Sequence, residues 1–323
     1  MKAQLFLLLA LFVSIGIKAQ INAADSTVQA ITYWGLNESY TYEILQSKEK
    51  KVEGDNSEKD PIRSIVQISV IDSTATSYVI EWRFLKHEVP NIDSIPTLRD
   101  LLNEKKYVYR TNEMGEFEEL LNWEEVRDNL LATTKESLRI ANSSKAEDER
   151  ESLVREVSTV WEALMTKEYV EQKVVEAASV FHCFYGVSYK LGEEIESEIE
   201  VPIPIEGLPD MTAHVRLWLD EIDVENDIYN ICIKQEIDQE EVKALMLQFI
   251  DVFSLKLNKD GIKGKEEIEK IFTKDIQYSN IIYSIIDNSG WPLDIYSQNT
   301  INIGDIQQEK TLQIRMIENV DIK

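Results

Sequence analysis

Residues 281–296 read IIYSIIDNSGWPLDIY, and this stretch decides the fold. Ile281, Tyr283 and Ile285 alternate with other residues at the period of a strand, and Leu293 and Ile295 resume the pattern after Asp287-Asn288-Ser289-Gly290. Asn-Ser-Gly between two such runs is a hairpin signal, because its residues tolerate the positive φ a tight turn needs. Leu312, Ile314 and Met316 alternate again, so the end of the chain reads as a three-strand antiparallel meander.

Working outward, the same period appears in pairs. Val215, Leu217 and Leu219 face Tyr229, Ile231 and Ile233 across the acidic turn Asp220 to Asp227. Ile65 to Ile71 and Tyr78 to Val89 form a second pair, with Tyr78, Ile80, Trp82 and Phe84 on one face. Tyr40, Tyr42 and Ile44 mark a further strand, and Lys106 to Thr111 another, ended by the turn Asn112-Glu113-Met114-Gly115. The stretch Ser47 to Pro61 has Val52 as its sole apolar residue and is expected to be an exposed loop. Glu193 to Glu200 is acid and isoleucine, and Val201-Pro202-Ile203-Pro204 suits only an edge strand or extended segment, since proline donates no ladder hydrogen bond.

Between these strands the period changes. Asn122 with Glu125 three residues on starts a helix carrying Trp123, Val126, Leu130 and Thr134. After Asn142-Ser143-Ser144 a second helix has Leu153, Val157, Val160 and Leu164 on one stripe, with Val154, Trp161 and Met165 beside it. A third is expected from about Lys167 to Tyr185, with Gly186 ending it. Asp238 and Glu241 open a fourth.

Strands, helices and strands joined by hairpins, without βαβ repetition, give an α+β fold: a mostly antiparallel curved sheet, open or a half barrel, packed with helices of which three are central. Residues 20–323 are read as one domain, with β-rich halves at about 30–120 and 190–320 joined by the helical segment 122–185. The halves are expected to share one sheet rather than form two smaller ones.

Residues 1–19 read as a signal peptide: Lys2 is followed by an apolar run from Leu5 to Val13 and by Ala19 before Gln20. The run is too short for the roughly 20 residues of a spanning helix, and no cysteine follows it to accept a lipid. The chain of 323 residues carries 34 Lys+Arg against 59 Asp+Glu, a net charge of −25. Loss of Lys2 and Lys18 with the leader takes it to −27. The expected location is periplasmic or secreted. Such a charge repels phosphate backbones and anionic headgroups, which argues against nucleic acid and membrane surfaces as partners. At 43% hydrophobic residues the chain can still bury a sizeable core.

Motifs of chemistry are scarce. His87, His182 and His214 have no His or Cys at zinc spacing, and His182 falls on a helical stripe as a satisfied histidine at the core edge. The phosphate loop, nucleophile elbow, dinucleotide fingerprint and HExxH are absent, so neither catalytic residues nor cofactors are assigned. Adjacent acids such as Glu124-Glu125, Glu193-Glu194 and Glu240-Glu241 follow from composition. Lys256 to Glu267 places Asn258, Asp260, Gly261 and Glu267 at calcium-loop positions but puts Lys256 at the first ligand, while Asp220 to Asp227 has charge without ligand spacing, so no metal is assigned. Two cysteines, Cys183 and Cys232, are either a disulfide of an exported protein or two buried free thiols.

The leader ending Lys18-Ala19-Gln20, the start Tyr40-Thr41-Tyr42-Glu43, the central helices, and the ending built on Asn288-Ser289-Gly290-Trp291-Pro292 and Gln313-Ile314-Arg315 resemble exported, uncharacterised proteins of Gram-negative bacteria. Some of these are similar in layout to the periplasmic lipoprotein carriers. That resemblance implies an apolar groove on the concave face of the sheet and names no site residues. The expected function is therefore an exported soluble binding protein for an apolar or extended ligand. The alternative is a protein that contacts another envelope protein without a ligand cavity.

Overall fold

The computed structural model describes residues 20–52, 55–89, 97–98, 101, 105–171, 176–201, 203, 208–256 and 276–318. The leader 1–19 and the calcium-loop candidate beyond Lys256 lie outside them. One antiparallel sheet runs through eleven strands. In chain order these are β3 (Ser39–Val52), β4 (Asp55–Ser73), β5 (Ser77–Glu88), β6 (Lys106–Asn112), β7 (Phe117–Leu120), β9 (Glu194–Val201), β10 (Met211–Asp223), β11 (Ile228–Ile237), β12 (Ile276–Asp287), β13 (Pro292–Ile303) and β14 (Ile306–Ile317). Across the sheet the order is β7-β6-β5-β4-β3-β14-β13-β12-β11-β10-β9, so it is open and its edges are β7 and β9. The β-rich halves are joined where β3 pairs with β14 in unbroken register from Thr41↔Ile317 to Val52↔Ile306. The α+β reading with a large open antiparallel sheet holds.

Alternation gives the sheet two unlike faces. One carries Trp82, Ile68, Tyr42, Ile314, Ile295, Ile231 and Leu219, all buried. Against it pack the helices α1 (Trp123–Ala141), α2 (Glu147–Leu164), the single turn α3 (Lys167–Tyr169), α4 (Glu176–His182) and α5 (Gln239–Lys256). The other face carries ion pairs, with Arg63 between Glu43 and Glu88 and Arg315 on Asp294, and a row of Trp218, Cys232, Tyr283 and Tyr296 across β10 to β13.

A small sheet of β1 (Ile21–Asn22), β2 (Thr27–Ala30) and β8 (Val187–Lys190) stands apart from the large one. It leads into the turn of the β12–β13 hairpin. The Tyr33 amide donates to the Ser289 carbonyl at 3.0 Å, the Tyr185 hydroxyl donates to the Gly290 carbonyl, and Trp34 stacks on Trp291 with ring centroids 4.5 Å apart. Gly290 has φ +89°, and a Cβ there would lie 2.5 Å from the Ile31 carbonyl oxygen, so both conformation and space require glycine.

Several expectations need correction. Ser47 to Pro61 is not a loop but the far end of the β3–β4 hairpin, paired Lys48↔Lys59 through Val52↔Asp55. Its polarity reflects a ribbon solvated on both faces, held because β14 pairs with its other side. Within α2 the buried residues are Val154 and Ser158, with Trp161 packed against the core and Met165 buried just after the helix. The stripe through Leu153 and Val157 flanks them. The third helix is shorter than expected and ends at His182; Gly186, at φ +80°, closes the turn that follows. In β12 the residues that read as the strand signal, Tyr283 and Ile285, face outward, while Ile282, Ser284 and Ile286 are buried. In a run where both phases are apolar, alternation cannot say which face is covered.

Asn122 holds the N-cap position of α1, but its side chain caps no helix amide; it bonds β6 and the Glu125 carboxylate. It accepts from the Val108 amide at 2.8 Å and donates to the Lys106 carbonyl at 3.1 Å. Cys183 and Cys232 are free thiols. Cys232 lies between Ile231 and Ile233 and so points to the outer face of the sheet, whereas Cys183 follows α4 on the helix side. The two therefore lie on opposite sides of β11, Cys183 exposed and Cys232 buried.

Candidate functional site

Where the helices bridge β3 to β6, side chains from sheet and helices leave a groove of about 400 Å³. That lies in the range of roughly 300–1,000 Å³ typical of small-ligand sites. Its floor is Ile44 of β3, Ile62 of β4, Phe84 of β5 and Tyr107 of β6, each put on the helix side by strand alternation. Its roof is Leu130 and Thr134 of α1, Trp161 of α2, and Met165. The α2 stripe of Val154, Trp161 and Met165, at spacings of seven and four residues, turns the indole onto the sheet. Phe84 and Tyr107 pack edge-on with centroids 5.4 Å apart, a wall of fixed shape.

A few polar groups converge on this apolar lining. The Ser64 hydroxyl is 2.6 Å from His87 Nδ1. Burial, and then the nearby Lys105 ammonium, push the His87 imidazole down to about 4, so it is neutral at physiological pH. Burial also holds Lys105 below the usual lysine range and lifts the Tyr107 phenol to about 12. At the other end Lys310 of β14 pairs with Glu176 of α4. Past that ion pair lies a second pocket of about 230 Å³, lined by polar groups of β11 to β14 such as Gln235, Asn280 and Asn299. Lys310 and Glu176 line both pockets and stand between them.

His182 is elsewhere and is structural. Its Nδ1 donates to the Gly115 carbonyl at 2.7 Å, which leaves Nε2 to accept from the Tyr109 hydroxyl at 2.8 Å. It is more deeply buried than a core-edge residue, among Trp34, Phe181 and Tyr185. His214 is exposed on β10 beside Glu198 of β9, at 3.3 Å.

The adjacent acids do not converge either. Glu193 pairs with Lys190 and Glu240 with Lys243, Glu125 accepts from Asn122, and the Thr212 amide donates to Glu241. At the tip of β10–β11 the Asp223 carboxylate accepts from the Glu225 and Asn226 amides, and the Asn226 side chain holds it below the usual aspartate range. Its oxygens shape the turn. Among the described residues no group of three or more His, Cys, Asp or Glu is placed to hold a metal ion, and no helix is long and apolar enough to cross a membrane.

Sequence patterning marks Phe84, Leu130, Trp161 and Met165 as apolar positions without saying that space remains between them. Lys105, Lys310 and Glu176 carry no local signal, because sheet pairing and helix packing bring them together from distant segments.

No protein-family model matches the chain, and no curated protein matches it. Among solved structures it is similar to lipovitellin, at 9% identity and a TM-score of 0.42, over 88% of this chain and 25% of that one. The chain thus spans about a quarter of the lipovitellin chain. It is also similar to a Bacteroides fragilis protein described as exported with a YmcC-like fold, at 8% identity and a TM-score of 0.22, over 89% of this chain and 100% of that one.

Proposed function

We propose that the protein is an exported binding protein, not an enzyme, and that it holds an apolar or extended ligand in the groove between the sheet and α1–α2. The observation that supports this is the groove of about 400 Å³ walled by Phe84, Tyr107, Leu130, Trp161 and Met165 between sheet and helices. A groove of this size with aromatic and aliphatic walls and a few polar groups at its ends has the make-up of a small-ligand site. Titration with the neutral fluorophore N-phenylnaphthylamine tests it. Saturable binding to the folded chain is expected, and Ala177→Trp, at the α4 residue that lines the groove, removes it. Absence of saturable binding, or binding indifferent to that substitution, rejects the reading.

A second reading, contact with another envelope protein, is favoured by Tyr283 and Ile285, which are 45% and 36% exposed on the outer face. Tyr283→Ser with Ile285→Ser separates the two, since probe binding is unaffected if the groove is the site.

A further inference from the structure

The groove is not electrostatically neutral, although the chain around it is strongly acidic. Lys105 lines it, and no carboxylate pairs with that lysine among the described residues. Glu125 lines the adjoining cleft on the far side of Lys105, but its carboxylate accepts from Asn122. Lys310 is compensated by Glu176, so it contributes an ion pair rather than a net charge.

Beyond that pair the helix-side face of the sheet continues as a row of cations. Lys59, Lys48 and Lys310 are directly opposite one another across β4, β3 and β14. The matching row Glu58, Glu49 and Glu309 falls one residue out of phase, on the outer face. Like charges opposed across strands cost stability, and here the register places the positive row at the mouth of the groove.

Beside Lys105 stands His87. In the neutral tautomer whose Nδ1 accepts the Ser64 hydroxyl, Nε2–H remains as a donor. One ammonium without a carboxylate partner among the described residues and one neutral donor, at the end of an apolar slot, match one singly charged acid group.

From this we infer that the ligand is a single-chain amphiphile with a carboxylate head, the head bound at Lys105 and His87 and the chain lying under Trp161 and Met165. The inference rests on the binding-protein reading and names its ligand class. A dianionic phosphate head would leave one charge unmatched in a partly desolvated site, which burial penalises. The mouth lysines raise the local concentration of such an anion against the repulsion of the rest of the chain.

The test is displacement of N-phenylnaphthylamine from the full chain at neutral pH by dodecanoate, dodecanol and dodecyl phosphate. Dodecanoate is expected to displace the probe at about tenfold lower concentration than dodecanol, or about 1.4 kcal/mol, and to outcompete dodecyl phosphate. Lys105→Met removes most of the preference for acid over alcohol, and Lys105→Arg retains it. A circular dichroism spectrum and a cooperative thermal transition matching those of the natural chain show that the Lys105→Met chain is folded. Equal displacement by acid and alcohol, stronger displacement by the phosphate, or a preference that survives Lys105→Met overturns the carboxylate assignment and leaves the apolar groove standing. If the probe does not bind the folded chain before any competitor is added, the groove reading itself falls, and this inference with it.

Discussion

Gly290 and His182 show how single residues hold the part of the fold that carries no ligand. Gly290 combines φ +89° with a backbone oxygen 2.5 Å from where a Cβ would sit, whereas Gly192, at φ +79°, has open space around it. Both positions disfavour an L side chain by about 1–2 kcal/mol. Only Gly290 adds a clash with backbone, so Gly290→Ala is expected to cost about 1–3 kcal/mol more than Gly192→Ala in urea denaturation. Equal costs would mean that the docking of β2 onto the β12–β13 turn yields freely.

His182 makes stability depend on pH. Burial lowers its pKa from 6.5 to about 4, so between those values the unfolded chain binds a proton that the folded chain does not. Unfolding therefore takes up protons, and stability falls as pH drops from about 6.5 toward about 4, by at most about 1.4 kcal/mol per pH unit for this group. His87 acts in the same direction. The depressed carboxylates, such as Glu88, lose their contribution only at lower pH. Denaturant unfolding between pH 6.5 and 5, within the window set by His182, should show a steeper loss for the natural chain than for His182→Phe. Parallel profiles would place the imidazole in contact with water.

At the scale of elements, what could be read from the sequence was whatever depends on local period. The turn Asp287 to Gly290 and the strands around it are present, with the Asp287 carboxylate accepting from the Ser289 and Trp291 amides. The hairpin around Asp220 to Asp227 is present too, and so are the starts of α1 and α2. The far end of β3–β4 was illegible because its strands are specified by their neighbour: Ser47 opposes Thr311 with hydroxyls 2.6 Å apart, and nothing in residues 47–61 alone announces β14. Hydrogen exchange offers a direct check. Amides of Lys48 to Lys51 should be protected like a strand between two partners and exchange far more slowly than a solvated loop. Loop-rate exchange would contradict the pairing. The small sheet β1-β2-β8 escaped notice for the same reason, since its strands are two to four residues long and β8 is far from the other two in sequence.

For the whole molecule, sheet order decides where function can lie. Pairing of β3 with β14 makes two β-rich halves into one surface. α1, α2 and α4 cover its middle on one side, and the groove is the space that cover leaves. Composition conveyed the −25 charge but not its arrangement, with acids outward on β9 and lysines 48, 59 and 310 at the groove mouth. That arrangement depends on register, which no local pattern reveals.

Photolabelling the folded chain with a diazirine-bearing acyl probe, followed by peptide mapping, tests the central claim most directly. The account predicts adducts concentrated at Phe84–His87, Leu130–Thr134 and Trp161–Met165, competed away by unlabelled dodecanoate. Adducts confined to Tyr283 and Ile285 on the outer face, or spread without competition over the surface, would contradict it.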